Sequence, residues 1–203
     1  GLEDMSDFIE NQLQDCLKYV DCQFAYYKDF FSEDAMTVIM ADHSQPIYDK
    51  KRNDPFFMFY NDKDRVVHVT FIIISKELKA GVNSQLFSML DFNKVMEQAY
   101  FEKCIYIPER EIIEYQFYNV QNRRLRELAM KRGLMDYTEG IRCFVSKKYL
   151  YAKTATGKQE VYDLKDIFSD ISSTDEGKKF IKYVEENYDT GFPNFWTVRN
   201  TVS

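Results

Sequence analysis

Asp54, Glu77 and Lys79, with His43 a short way upstream, are residue types that can hydrolyse a phosphodiester around a metal ion. Carboxylates hold Mg²⁺ or Mn²⁺, and a lysine two places beyond an acid can orient the attacking water. A second group is cationic. Between Gln121 and Lys158 the chain places ten basic residues against three acidic ones, a net charge of +7, although the whole 203-residue chain carries −6. The remainder therefore holds −13, a segregation that random scatter would seldom produce.

The basic residues fall on two expected elements, a helix over Gln121–Arg132 and a strand pair after it, so that helix and ribbon together would offer one basic surface. Winged-helix proteins use that shape, which is shared with many folds that bind nothing charged. The residues expected to meet a polyanion are Arg123, Arg124, Arg126, Lys131, Arg132, Lys147, Lys148, Lys153 and Lys158. Tyr137, Phe144, Tyr149 and Tyr151 lie in the same segment and could stack on unpaired bases, although alternation with polar residues is also what a half-buried strand requires. Two considerations oppose a nucleic-acid partner. Acids elsewhere in the chain can fold against the segment and neutralise it, and the overall negative charge repels a polyanion at long range.

The order of His43, Asp54 and Glu77-Leu78-Lys79 resembles in part the PD-(D/E)xK metal-dependent nucleases, which place an acid on one strand and an acid-x-Lys on its neighbour. The resemblance implies that the carboxylates would hold the metal and the lysine the water. The sequence departs from the pattern: Asp54 precedes Pro55 instead of following it, Ile74 stands where the strand acid is expected, and Glu77 and Lys79 come after the apolar run has ended. With two histidines in the chain, neither a structural zinc site nor a Ser/His/Asp arrangement is supplied. His43 reads as a loop residue and His68 as a packed strand residue. Cys16, Cys22, Cys104 and Cys143 form no CxxC pair and read as buried free thiols. Lys153 to Gln159, KTATGKQ, lacks the first glycine of a phosphate loop and has Gln159 where the metal-binding hydroxyl belongs, so a strand turn explains it. No cofactor is expected.

Composition sets the frame for these residues. Apolar residues make up 45% and charged residues 30%, and 17 Phe and 15 Tyr against 7 Gly and 4 Pro point to an ordered interior packed with aromatic rings. The longest apolar run, Val69–Ile74, is far short of the ~20 residues that cross a bilayer, and the N-terminus shows no signal pattern. A soluble cytoplasmic protein is the expectation.

Ile9, Leu13, Cys16, Val20, Phe24, Tyr27 and Phe31 recur at three- and four-residue steps, which predicts a helix over Ser6–Phe31, about 39 Å long. Such a stripe either lies on its own domain or seeds a coiled-coil homodimer. A strand is expected at Met36–Met40. A hairpin follows, from Phe56–Tyr60 through the turn Asn61–Asp64 to Val66–Ile74. Its second arm is apolar on both faces and therefore expected to be central in a sheet under a helical layer. Helices are expected between Ser84 and Phe101, with Asp91 as a cap, then a strand at Cys104–Ile107. Ile112–Val120 reads slightly better as helix than as strand. Leu125, Leu128 and Ala129 form the buried edge of the basic helix, and Gly133 caps it. Strands at Ile141–Val145, Tyr149–Lys153 and Gln159–Leu164 follow. A helix opened by the capping box Ser173–Glu176 runs through Tyr188, before an irregular tail with Trp196.

The fold expected is therefore α+β: a single domain with a mixed or antiparallel sheet packed with helices, a long N-terminal helix, and a basic helix-plus-hairpin subregion over residues 121–164. The leading functional expectation is a non-enzymatic binding or regulatory protein meeting an anionic partner, nucleic acid foremost. A non-catalytic protein-interaction module, homodimeric through the N-terminal helix, comes next, and a metal-dependent nuclease third. No membrane partner is expected.

Overall fold

A computed structural model describes residues 2–42, 69–117, 123–131 and 133–192. The side chains of residues 2–10, Phe117, Leu125, Leu128, Ile167 and Phe168 fall outside that description. The chain is α+β, and its described residues form four α-helices and two antiparallel sheets. They group into two compact units, one drawn from residues 1–81 and 99–104, the other from 82–98 and 105–203; from sequence the chain reads as one domain.

In the first unit, the three- and four-residue spacing folds as one helix, α1 (Leu2–Lys28), closed by turn bonds from the Phe30 amide to the Tyr27 carbonyl and from Phe31 to Lys28. Strand β1 (Thr37–Met40) pairs antiparallel with β2 (Phe71–Ile74), Thr37 opposite Ile74 and Met40 opposite Phe71. Isoleucine and valine dominate both strands, as β-branched side chains favour. The expected arm Phe56–Tyr60, its turn and His68 lie outside the described residues. β2 does not have the two covered faces expected of it: alternate residues turn outward, and Ile72 and Ile74 are half exposed. Lys76 pairs with Asp34 and ties the end of β2 to the α1–β1 connection. That hydrogen bond, and then the ammonium charge, hold the Asp34 carboxyl below its ordinary range.

The second unit begins with a 3₁₀ turn (Met89–Asp91) and α2 (Phe92–Glu97), which runs on as a π-turn (Gln98–Glu102) whose residues from Ala99 belong to the first unit. Ser88 caps the 3₁₀ turn, accepting the Leu90 amide on its hydroxyl at 3.3 Å, while Asp91 stands at the expected N-cap of α2 but makes no cap bond. Asp91 is drawn off to Arg110, whose guanidinium donates two bonds of 2.7 Å to it. A bidentate ionic pair is roughly twice as strong as the neutral cap bond it replaces. The expected strand Cys104–Ile107 is absent, because its one described amide bond runs from Tyr106 to the side chain of Gln98 and not to a strand.

Five strands build the main sheet in the order β3 (Ile113–Phe117), β4 (Ile141–Val145), β5 (Tyr149–Thr154), β6 (Gln159–Asp163), β7 (Asp166–Asp170), all antiparallel. The slight preference for helix over Ile112–Val120 is thus corrected. Isoleucine and tyrosine at alternate positions find a partner strand, Ile113 opposite Val145 and Phe117 opposite Ile141, and pairing overrides the helix-like acidic start. α3 (Arg123–Lys131) ends at Gly133, whose φ of +67° is open to glycine. The Leu134 amide reaches back to Ala129 and the Gly133 amide to Met130, a Schellman closure. A 3₁₀ turn (Met135–Thr138) leads into β4.

Register puts Phe144, Tyr151 and Val161 side by side on one face. There they meet Phe180 and Val184 of α4 (Asp175–Asn187), forming the core with Ile112. On the other face Ile141, Cys143, Val145, Leu150 and Ala152 are equally buried. Both faces of β4 and β5 are covered, the condition expected of β2. α4 is capped by Thr174, whose hydroxyl accepts the Gly177 amide at 3.1 Å, one place beyond the expected Ser173. Gly177 has no room for a side chain: a Cβ would lie 2.0 Å from the Ile171 carbonyl oxygen, a backbone atom that cannot swing aside. Gly177→Ala should accordingly lower unfolding stability by about 3 kcal/mol, the upper end for overpacking, read as a fall in the urea midpoint. A midpoint within error of wild type would show that the Ile171–Gly177 approach does not constrain the fold.

Candidate functional site

The strands and turns of the second unit decide where each basic residue of the 121–158 segment goes. Arg142 stands on β4 with its side chain only 7% exposed, held by Glu114 of β3 at 2.7 Å, by the Gly191 carbonyl and by Asp189 at 3.8 Å, over the ring of Phe144. Lys153 of β5 reaches Glu185 of α4 at 3.2 Å and the Thr190 hydroxyl at 3.1 Å. Lys158 lies 3.0 Å from Glu160 and donates to the Tyr137 hydroxyl at 2.5 Å, its ammonium over the same ring. Arg126 of α3 pairs with Glu139, and Arg123 with Glu127 one turn on. Among the described residues, at least five of the ten basic residues are thus bound to carboxylates of the same chain.

The others divide between two places. Arg124 and Lys131 are exposed on α3, beside Arg123 and the 63%-exposed Met130, while Ala129 supplies the buried edge; Arg132 lies outside the described residues. Lys147 and Lys148 sit in the β4–β5 turn, Lys147 donating to Gln85 at 3.0 Å and Lys148 lying over the Tyr149 ring. α3 leads through Gly133 to the 3₁₀ turn, which is bonded to the other end of β5: the Ala155 amide donates to Gly140 and the Thr156 hydroxyl to Asp136. The two groups are therefore tied to opposite ends of β5. No protruding ribbon joins them, since β5 and β6 are inner strands of the sheet. Tyr137, Phe144 and Tyr151 are buried, and Tyr149 packs on Phe180 with ring centres 5.2 Å apart, so these rings belong to the core.

Tyr137 sits at the centre of a buried polar knot. It donates to Glu160, which is 5% exposed, and accepts from Lys158. Burial first, and then the bond to Glu160, push its phenol up to about 12. Burial works against the Lys158 ammonium, but its bonds to Tyr137 and Glu160 outweigh that and raise it. Burial likewise raises Tyr151 and Tyr162.

Of the metal-nuclease residues, His43 and Asp54 lie outside the described residues. Glu77 follows β2 in a turn and pairs with Lys103 at 2.5 Å. Among the described residues no cluster of three His, Cys, Asp or Glu side chains could hold a metal ion. The thiols correct another expectation: Cys143 is buried in β4, whereas Cys16, Cys22 and Cys104 are exposed, two of them because α1 itself is exposed.

That exposure is the main feature sequence reasoning missed. The stripe on α1 reads from sequence as a face that packs on its own domain or, less commonly, as the seam of a coiled-coil dimer. Yet Val20 is 44% exposed, Phe24 45%, Tyr27 52% and Phe31 48%, and Leu17, Tyr19, Tyr26 and Phe30 beside them are more so. Tyr26 meets Tyr27 edge to face and Phe30 at a tilt, with centroids 5.5 and 5.0 Å apart, which extends one aromatic surface past the helix end. Aromatic density over Phe24–Phe31 was the available signal; burial cannot be read from it. Among the described residues no helix is long and apolar enough to cross a membrane.

Compared with known protein families and with curated proteins, the chain matches none.

The phenols set a pH dependence. Tyr137 is neutral when folded and ionises near 10 when unfolded, so its contribution is complete below about pH 10 and lost as pH rises towards 12; Lys158, also raised, acts in the same sense. Urea midpoints should fall steeply between about pH 10 and pH 12, and less steeply in Tyr137→Phe. Equal slopes in the two proteins would show that the knot is not what titrates.

Proposed function

We propose that the protein is a non-catalytic protein-interaction module whose contact element is α1, homodimerisation being the form of contact that element suits. The observation that carries this reading is the half-exposed row Val20, Phe24, Tyr27 and Phe31, continuous with Leu17, Tyr26 and Phe30. Contiguous exposed apolar surface of this kind marks interaction sites on folded proteins, and aromatic residues dominate the energetics of such contacts. The buried knots of the second unit complement this: its carboxylate–cation pairs act in the fold and leave α1 as the broad apolar feature.

A second reading is favoured by one specific observation. Arg123, Arg124 and Lys131 share the outward side of α3 next to the exposed Met130, a small cationic face suited to an anionic partner, nucleic acid foremost. On this reading the nine residues expected from sequence reduce to the α3 group. With so few phosphate contacts the affinity would be modest and salt-sensitive.

Two measurements separate these readings. An apolar dye that fluoresces on exposed hydrophobic surface should light up with dilute native protein and lose most of its signal with Phe24→Ser/Tyr27→Ser. A native protein that leaves the dye dark has its stripe covered within the chain and does not use it as proposed. For the second reading, fluorescence anisotropy with a labelled single-stranded oligonucleotide should show binding that falls steeply with salt and disappears in Arg123→Glu/Arg124→Glu. Unchanged binding in that double variant removes α3 as the interface.

A further inference from the structure

We draw no further inference here: the strongest candidate, the cleft between α4 and β6 lined by Gln159, Ser172, Lys178, Lys182, Glu185 and Glu186, singles out no ligand chemistry, because two lysines and two glutamates line it together while Ser172 and Glu185 are already bonded to Asp170 and Lys153.

Discussion

A cation taken out of water must be met by an anion, and this requirement organises the second unit. Arg142 is the clearest case. Its guanidinium is nearly sealed on β4, where a lone charge would cost several kcal/mol, and Glu114, Asp189 and the Gly191 carbonyl surround it. Breaking such a buried pair by removing one partner typically costs about 3–5 kcal/mol, while an exposed pair such as Arg123–Glu127 is worth about 0.5 kcal/mol or less. Cations of the same segment therefore differ greatly in what they are free to do. Arg142, Lys153, Lys158 and Arg126 bind the strands, α4 and the 3₁₀ turn to one another. Arg124 and Lys131 on α3 and Lys147 and Lys148 at the β4–β5 turn stay at the surface.

The same requirement explains why the net charge of +7 over 38 residues misleads as a surface property. Counting charge along the chain treats neighbours in sequence as neighbours in space. In an antiparallel sheet the answering acids come from elsewhere: Glu114 of β3 lies opposite Phe144, next to Arg142, and Glu185 of α4 crosses to Lys153. These acids are counted in the −13 of the remaining chain, so part of the segregation is the sequence trace of ion pairs closed by folding.

Elements specified by local chemistry were legible. α1 and α3 follow from spacing and Gly133, and β4, β5 and β6 from β-branched and aromatic runs parted by the Ser146 turn and by Gly157 at φ +93°. Elements decided by distant partners were not. β3 carries a helix-like start and becomes a strand because β4 is there to pair with it. β7 is short, carries Asp166, Ser169 and Asp170, and joins β6 across a bulge at Tyr162–Asp163 that breaks the simple alternation. There the Asp170 side chain accepts the Val161 amide in place of a ladder carbonyl, a bond no periodicity can announce. Asp91 likewise has a capping residue's place in sequence but is claimed by Arg110, 19 residues away. At the candidate site, residue types were legible and depth was not: Tyr151 and Tyr27 look alike in composition, yet one is fully buried and the other half exposed.

Depth also bears on what kind of surface remains. With both faces of β4 and β5 covered, the aromatic rings of the main sheet are spent on the core. On the proposed reading, recognition falls to helices. An apolar row and a cationic row ask different things of a partner: the first gains by excluding water over its whole length, the second by attraction that water and salt attenuate. Per residue the apolar row is the stronger device, at roughly 25 cal/mol for each Å² removed from water, whereas an exposed arginine contributes about 1 kcal/mol or less. That difference, more than the number of basic residues, favours α1 over α3 as the principal contact.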